Sequence, residues 1–427
     1  MERRARRMLS IGLGLAAVAG ALALLLAWWL PTDAELGARV KAQAEARLGV
    51  EVSLGSVRWQ LLPWPALVIE NAATVQPEPI RFDRLVAQPQ IRALLHRQLR
   101  FDHVLVEGGV MPQLALRGLR LQPAKAAHQE GVPIAQLRFH NLSWVTRYGK
   151  ALEFDGNVFF DAGWRPREAQ VVRPGVQPLT QLKLQREGDA DSWQVQLLLG
   201  GGTAHGQVAL TPAAEGLHLA GELAPRNVEV DSAMAAFKRN SVVRGKASGR
   251  SLLSADGHTI AELARSLHTR TTFSMQPATV LRLDIDKAIR TAGQDRAGQT
   301  PLQSLSGQMD TQNTPEGMVV RYSGLQARGE TFSASGHATI ANRQVEGELR
   351  VDLVGGLVGV PLQFAGPLGA PKVTVPPTAM AGAAAGAVVG TAVLPGIGTA
   401  IGASVGAAVG KLFGGDAAKK PASAPAR

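Results

Sequence analysis

Three hydrophobic patterns follow one another along the chain. Leu9–Leu30 is an unbroken run of 22 residues without a charge. As a helix rising 1.5 Å per residue it reaches about 33 Å, enough for a hydrocarbon core of about 30 Å. Trp28 and Trp29 stand at its far end, where interfacial aromatics belong, and four arginines precede it. Charge of that sign on that side predicts a cytoplasmic N-terminus and a body on the far side of the membrane. The run exceeds the apolar stretch of a cleaved leader, and no small-residue cleavage site follows directly, so the expectation is a retained anchor.

The second pattern fills most of the chain and has period two. Thr32-Asp33-Ala34-Glu35 has capping-box spacing and predicts a helix through Leu48, stopped by Gly49. Beyond it, Val50, Val52 and Leu54 alternate with polar residues, then Val57, Trp59 and Leu61 do so after Gly55-Ser56, which predicts a hairpin turning at that glycine. Short alternations recur at Leu182 and Leu184; Val195, Leu197 and Leu199; Leu217 and Leu219; Val228 and Val230; and Leu349, Val351 and Leu353. Two helices are expected between them, at Arg92–Arg97 and, from the capping box Thr259/Glu262, at Ile260–Leu267.

The fold class is therefore mainly β: an N-terminal transmembrane helix, then an elongated, curled antiparallel sheet with a few short helices. A sheet this long must hide one apolar face, as a trough or as a plain β-sandwich, and periodicity alone leaves both open. If it is a trough, Val195, Leu197, Leu199, Leu217, Leu219, Leu349 and Val351 line it and touch acyl chains. Trp59 and Trp64, with Trp28 and Trp29, are expected at the membrane interface.

The third pattern runs from Ala379 to Gly410, uncharged and rich in Ala, Gly and Val. Gly382, Gly386 and Gly390 recur every fourth residue, as do Gly398, Gly402, Gly406 and Gly410, with Pro395-Gly396 between the series. That spacing lays each series along one helix face, where backbones can touch. The expectation is a helical hairpin, a glycine zipper, supported by lipid or a protein groove because glycine-rich helices are poor in water. Each arm reaches only about 24 Å, which suits a re-entrant hairpin or a self-associated set better than two full crossings.

Composition changes this picture in two places. The net charge of +11 is divided: Met1–Arg7 and Lys411–Arg427 hold +3 each, leaving +5 over the long body. Basic ends beside apolar segments are membrane-flanking charges rather than nucleic-acid arms. The chain has no cysteine, which excludes disulfides, thiolate metal sites and cysteine nucleophiles.

Residues 47–75, with Trp59, Leu61, Pro63, Trp64 and Pro65, resemble the opening of the AsmA family of bacterial envelope proteins. Phe82–Gly109 is similar to the family's next segment. Val243-Arg244-Gly245, Thr259–Leu267 and Pro361–Pro367 are similar to its C-terminal module. The resemblance implies an inner-membrane-anchored, periplasmic protein related to TamB and the bridge-like lipid-transfer proteins. It also implies a groove that carries phospholipids and a part in outer-membrane integrity. It divides the chain into a basic stub (1–8), anchor (9–30), N-terminal β region (31–240), C-terminal β module (241–376), zipper hairpin (377–414) and basic tail (415–427). About twenty strands at about 4.8 Å make a groove of about 100 Å.

Motifs of chemistry are absent from the sequence. The nine histidines have no zinc spacing, and His96 and His103 read as surface groups. Asp284 and Asp286 lack the other oxygens of a calcium loop and read as solvated or capping carboxylates. Gly200-Gly201-Gly202 follows a strand, but no lysine-bearing helix start follows it, so no phosphate cradle is expected. No metal, no cofactor, no nucleic acid and no enzymatic activity are expected. The partners expected are a phospholipid or other acyl-chain lipid, the membrane, and an envelope protein or a second copy through the zipper. The alternative function is a non-catalytic envelope scaffold or regulator that docks through that hairpin.

Overall fold

The computed structural model describes residues 33–60, 62, 64–90, 101–117, 134–161, 165–214, 216–258, 260–291, 294–295, 297–314, 317–353 and 360–374. The apolar run 9–30, the expected helix at Arg92–Arg97 and the zipper 377–414 lie outside these residues. The chain divides into two compact units, residues 1–155 with 162–164, and residues 156–161 with 165–427.

The first unit opens with helix α1 (Asp33–Leu48), which ends as its sequence predicts. Gly49 takes φ +67°, open to glycine without penalty, and its N–H returns to the Glu45 carbonyl at 2.9 Å. Strands β1 (Val52–Ser53), β2 (Ser56–Gln60), β3 (Ala66–Thr74) and β4 (Arg81–Pro89) follow. The expected hairpin at Gly55 does not form. Val52 pairs with Thr74 and Ser56 with Glu70 in one continuous register, so β1 and β2 are a single edge segment lying along β3. The Gly55 N–H reaches the carbonyl oxygens of Glu70 and Asn71 across that edge, and the chain turns at 61–65 instead.

Strand β5 (Phe101–Pro112) pairs with β4, and β6 (Ile134–Val145) lies parallel to β5. This parallel pair departs from the expected antiparallel meander. It needs a crossover of a dozen residues or more, and the 21 residues between the strands provide one. Leu36 of α1 is buried with Leu67 and Ala87, flanked by Val40, Val57, Trp59, Ile69, Phe101 and Val104. The division between units runs through β7 (Ala151–Phe160).

The second unit is an antiparallel sheet in nearly sequential order. It comprises β8 (Pro166–Val172), β9 (Gln181–Arg186), β10 (Ser192–Leu199), β11 (Gly202–Ala213) and β12 (Gly216–Arg226). Then come β13 (Val228–Glu229), helix α2 (Val230–Ala236), β14 (Val243–Gly257), helix α3 (Ile260–Ser266) and β15 (His268–Val280). Helix α4 (Ile285–Arg290), β16 (Thr300–Leu302), β17 (Ser304–Thr314), β18 (Gly317–Arg328) and β19 (Phe332–Ala341) follow. The unit closes with β20 (Gln344–Leu353), β21 (Val360–Pro367) and β22 (Lys372–Thr374).

Two reverse turns show how the sequence sets the register. Leu199 pairs with Gly202 and Ala341 with Gln344, leaving two-residue loops at Gly200-Gly201 and Asn342-Arg343. All four loop residues have positive φ, from 49° to 73°, the geometry that matches the twist of paired strands. The triple glycine is thus a hairpin turn.

Two expectations are corrected here. Val230 leaves the strand pattern and begins α2, because the sequence after it (DSAMAA) favours a helix over an edge strand. β12 pairs with β14 along seven residues, from Leu217↔Gly257 to Leu223↔Ser251. The α3 cap is offset by one residue, since the Glu262 carboxylate accepts from the N–H of His258 at 2.7 Å.

Candidate functional site

Directly paired residues of an antiparallel sheet project to the same face. The registers therefore trace side chains across the whole second unit. One row reads Ala169, Leu184, Val195, Gly206, Leu223, Ser251, Thr271, Met309, Tyr322, Ala338, Gly347, Phe364 and Val373. The adjoining row on the opposite face reads Gln185, Gln194, Gln207, Glu222, Leu252, Arg270, Asp310, Arg321, Thr339 and Glu346. One face is built from apolar and small residues and the other from polar and charged ones.

All seven residues expected to line a groove stand on the apolar face. Val195 is opposite Gly206, Leu197 opposite Ala204 and Leu199 opposite Gly202. Leu217 faces Pro212 and Leu219 faces Leu210. Leu349 is opposite Gly336 and Val351 opposite Ala334. They do not share one environment. Leu197, Leu199, Leu217 and Leu219 are half-buried, as are Leu182, Leu184, Leu223 and Leu253 around them. Val195 is 7% exposed, while Val351 has no exposed surface.

Val351 belongs to a closed core with Met275, Ala278, Leu302, Phe332, Ala334, Leu362 and Val373, together with Ile285 and Ala288 of α4; Leu349 packs against it. Full burial takes Val351 out of the lining, while Leu349, half-buried like the leucines of β10 and β12, borders the core. The candidate surface narrows to the stretch from β8 to β14, where the leucines are only half covered.

Two features bound that stretch. At one end of β9, Arg186 shares the apolar row with Trp193, yet its side chain is only 5% exposed. It is paired with Asp161 at 2.5 Å and Asp191 at 3.5 Å, and donates to the carbonyl oxygens of Asp189 (2.7 Å) and Ala190 (2.8 Å). A buried charge held this completely can sit beside an apolar surface. The Trp193 indole N–H donates to the Pro166 carbonyl at 2.6 Å, which leaves its ring to the apolar side. Further along, hydroxyls interrupt the face: Ser251 and Thr271 are hydrogen-bonded at 2.8 Å, and Thr269 pairs with Thr311. Beyond them Tyr322 packs against Phe273, and burial pushes its phenol above the ordinary value of 10.0.

Glycines on this face carry information that the sequence alone hides. A Cβ at Gly206 would overlap the Glu222 carbonyl oxygen, one at Gly249 that of Thr272, and one at Gly336 that of Glu348. In each case the neighbouring strand's backbone stands where a side chain would have to be. Glycine inside a strand permits this close approach.

Polar chemistry sits on the other face. His218 pairs with Asp256 at 2.6 Å and His268 with Asp310 at 2.8 Å, both as cross-strand neighbours on the charged side. His103 contacts Gln136 at 2.7 Å near solvent, and His96 lies outside the described residues. Asp284 caps α4, accepting from the Lys287 N–H at 3.0 Å. Among the described residues no group of three or more His, Cys, Asp or Glu could hold a metal ion.

The aromatic residues expected at the membrane separate. Trp59 is half-buried against α1's core cluster, with its indole nitrogen buried. Trp64 is 69% exposed and Leu62 82%. Trp28 and Trp29 lie outside the described residues. Among the described residues no helix is long and apolar enough to cross a membrane.

A family model described as a glycine zipper matches residues 379–421, the segment that contains Gly382, Gly386, Gly390, Gly398, Gly402, Gly406 and Gly410. No curated protein and no solved structure matches the chain.

Proposed function

We propose that this chain is a membrane-anchored lipid-transfer protein whose second unit offers the apolar sheet face from β8 to β14 to the acyl chains of a phospholipid. The observation that carries the reading is the traced register. Leu184, Leu223 and their neighbours Leu182, Leu197 and Leu253 form an apolar surface, half covered, around the buried Val195, with a charged surface behind it. Each leucine left half open forgoes part of the roughly 1.5–3 kcal/mol that full burial of such a side chain yields. An acyl chain laid along the row recovers it. Anchoring through Leu9–Leu30, with the body in the periplasm, and a role in outer-membrane integrity complete the proposal, in keeping with the AsmA resemblance.

A photoreactive amino acid at Leu197 or Leu219 of the full-length chain, irradiated in cells fed radiolabelled acyl lipid precursor, tests it. The expected result is a lipid adduct at both positions and none at Gln194 or Gln207, which sit on the charged face. Equal labelling of the two faces, or none on either, overturns the reading.

The zipper match at 379–421 favours a second reading, in which the chain is a non-catalytic envelope scaffold that docks a membrane partner or a second copy through that segment. Under it, the leucine positions cross-link to protein or to nothing, and lipid is absent.

A further inference from the structure

Leu62 and Trp64 flank the turn joining β2 to β3, and they are 82% and 69% exposed. The eleven residues from Trp59 to Ile69 include no charge. The Gln60 side-chain amide donates to the Leu62 carbonyl at 2.9 Å. Arg58, the nearest charged residue on β2, is tied to Glu70 of β3 at 2.7 Å.

The packing of α1 fixes where this turn points. The Glu45 carboxylate accepts from the Val52 N–H at 3.0 Å, and a Cβ at Gly37 would lie 3.7 Å from Val57. Helix and strand therefore run in opposite directions, and the turn lies at the helix's N-terminal end. From Gly37 back to Asp33 is about 6 Å of helix, while from Val57 on to Gln60 is about 10 Å of strand. The turn thus projects past the first turn of α1. The chain entering that end is the uncharged run Leu9–Leu30, which stops two residues short of Asp33.

We infer that Leu62 and Trp64 form a second membrane contact, a foot that enters the interfacial layer of the bilayer beside the point where the anchor emerges. The inference rests on the reading of Leu9–Leu30 as a membrane span. Its occupant is a lipid surface: the foot has no charge to match a charged partner, it carries the interface-seeking tryptophan, and it stands at the end of α1 that the apolar run precedes in sequence. The span and the foot together give the first unit two points of contact with the membrane.

The absence of native cysteine makes the test direct. Trp64→Cys and, for comparison, the exposed Tyr148→Cys are each made in the full-length chain, labelled with an environment-sensitive fluorophore and reconstituted into phosphatidylethanolamine/phosphatidylglycerol vesicles. The label at position 64 is expected to shift to the blue, to be quenched by nitroxide-bearing lipid and to lose quenching by iodide; the label at 148 does none of these. Co-flotation of the chain with the vesicles is scored separately and reads the anchor. A chain that floats but whose label at 64 behaves as at 148 overturns the foot and leaves the anchor standing, and that outcome points to a protein as the turn's partner. A chain that does not float overturns both.

Discussion

Tyr322 stands edge-on to Phe273, with ring centroids 6.3 Å apart and ring planes at 88°. Both rings project to the apolar face, so the phenol is held where its anion is poorly solvated. Its neutral form is favoured in the folded chain and its pKa lies above the ordinary 10.0. The unfolded chain ionises this group near pH 10, whereas the folded chain resists. Its contribution is therefore fully present below pH 10 and is lost as pH rises beyond it. The chain has two tyrosines. In a Tyr148→Phe background, phenolate absorbance is expected to appear only above pH 10 while the fold persists. Tyr322→Phe is expected to flatten the alkaline fall in stability.

Leu197 and Val351 occupy the same face with different consequences. Leu197→Asp and Leu219→Asp are expected to keep the strand signal in circular dichroism and to abolish lipid labelling. The half-open positions let the carboxylate reach water but place it in the path of an acyl chain. Val351→Asp buries an unpaired charge at a cost of several kcal/mol and is expected to unfold the second unit. Val351→Ala should cost about 2 kcal/mol in denaturant melts. Outright unfolding by Leu197→Asp would show that this position too is closed core, as in a sandwich.

Gly206→Ala and Gly336→Ala are expected to lower stability by roughly 1–3 kcal/mol each, because a methyl group collides with a neighbouring carbonyl that is itself tied into the ladder. A Cβ at Gly369 meets nothing within 4 Å, and Gly369→Ala should fall within about 0.5 kcal/mol of the parent. Thermal melts of the three variants check this, and equal melting points would remove the argument that close backbone approach requires glycine at these strands.

For the zipper segment, a chain lacking Met1–Leu30 is expected to sediment with membranes or to cross-link to itself. Gly402→Leu and Gly406→Leu should reduce this, since a leucine side chain holds two helix backbones apart. Alanine at the same positions should do less. A wholly soluble monomer that leucine leaves unchanged would reduce the segment to a tail.

The alternation of Val195, Leu197 and Leu199 is enough to read a strand with one apolar face, and the seven lining candidates do share a face. Their fates were not legible, because Leu349 and Val351 alternate in the same way as Leu197 and Leu199. What differs is α4, whose Ile285 and Ala288 join the core around Val351 through tertiary packing. The same limit explains the edge of the first unit. Val52 and Val57 each suit a strand, but whether they pair with each other or both with β3 depends on register, which local pattern does not encode. The parallel placement of β6 on β5 is likewise set by a long connection rather than by either strand's own residues. Gly206 and Gly336 could be noticed in the sequence, yet only the traced rows reveal that both lie on the apolar side.

In the second unit every strand pairs with one beside it in the chain or one place removed. Such an array is quasi-one-dimensional: its stability accumulates from nearest-neighbour terms, and each hairpin can zip onto the last without awaiting a distant segment. Such a chain can fold in the order in which it is made. The apolar track also becomes a ruler of adjustable length. Duplicating or excising one hairpin changes it by about 10 Å while leaving every other pairing intact. Under the proposed function, selection could set the length of the track by counting hairpins, with no redesign of the surface between them.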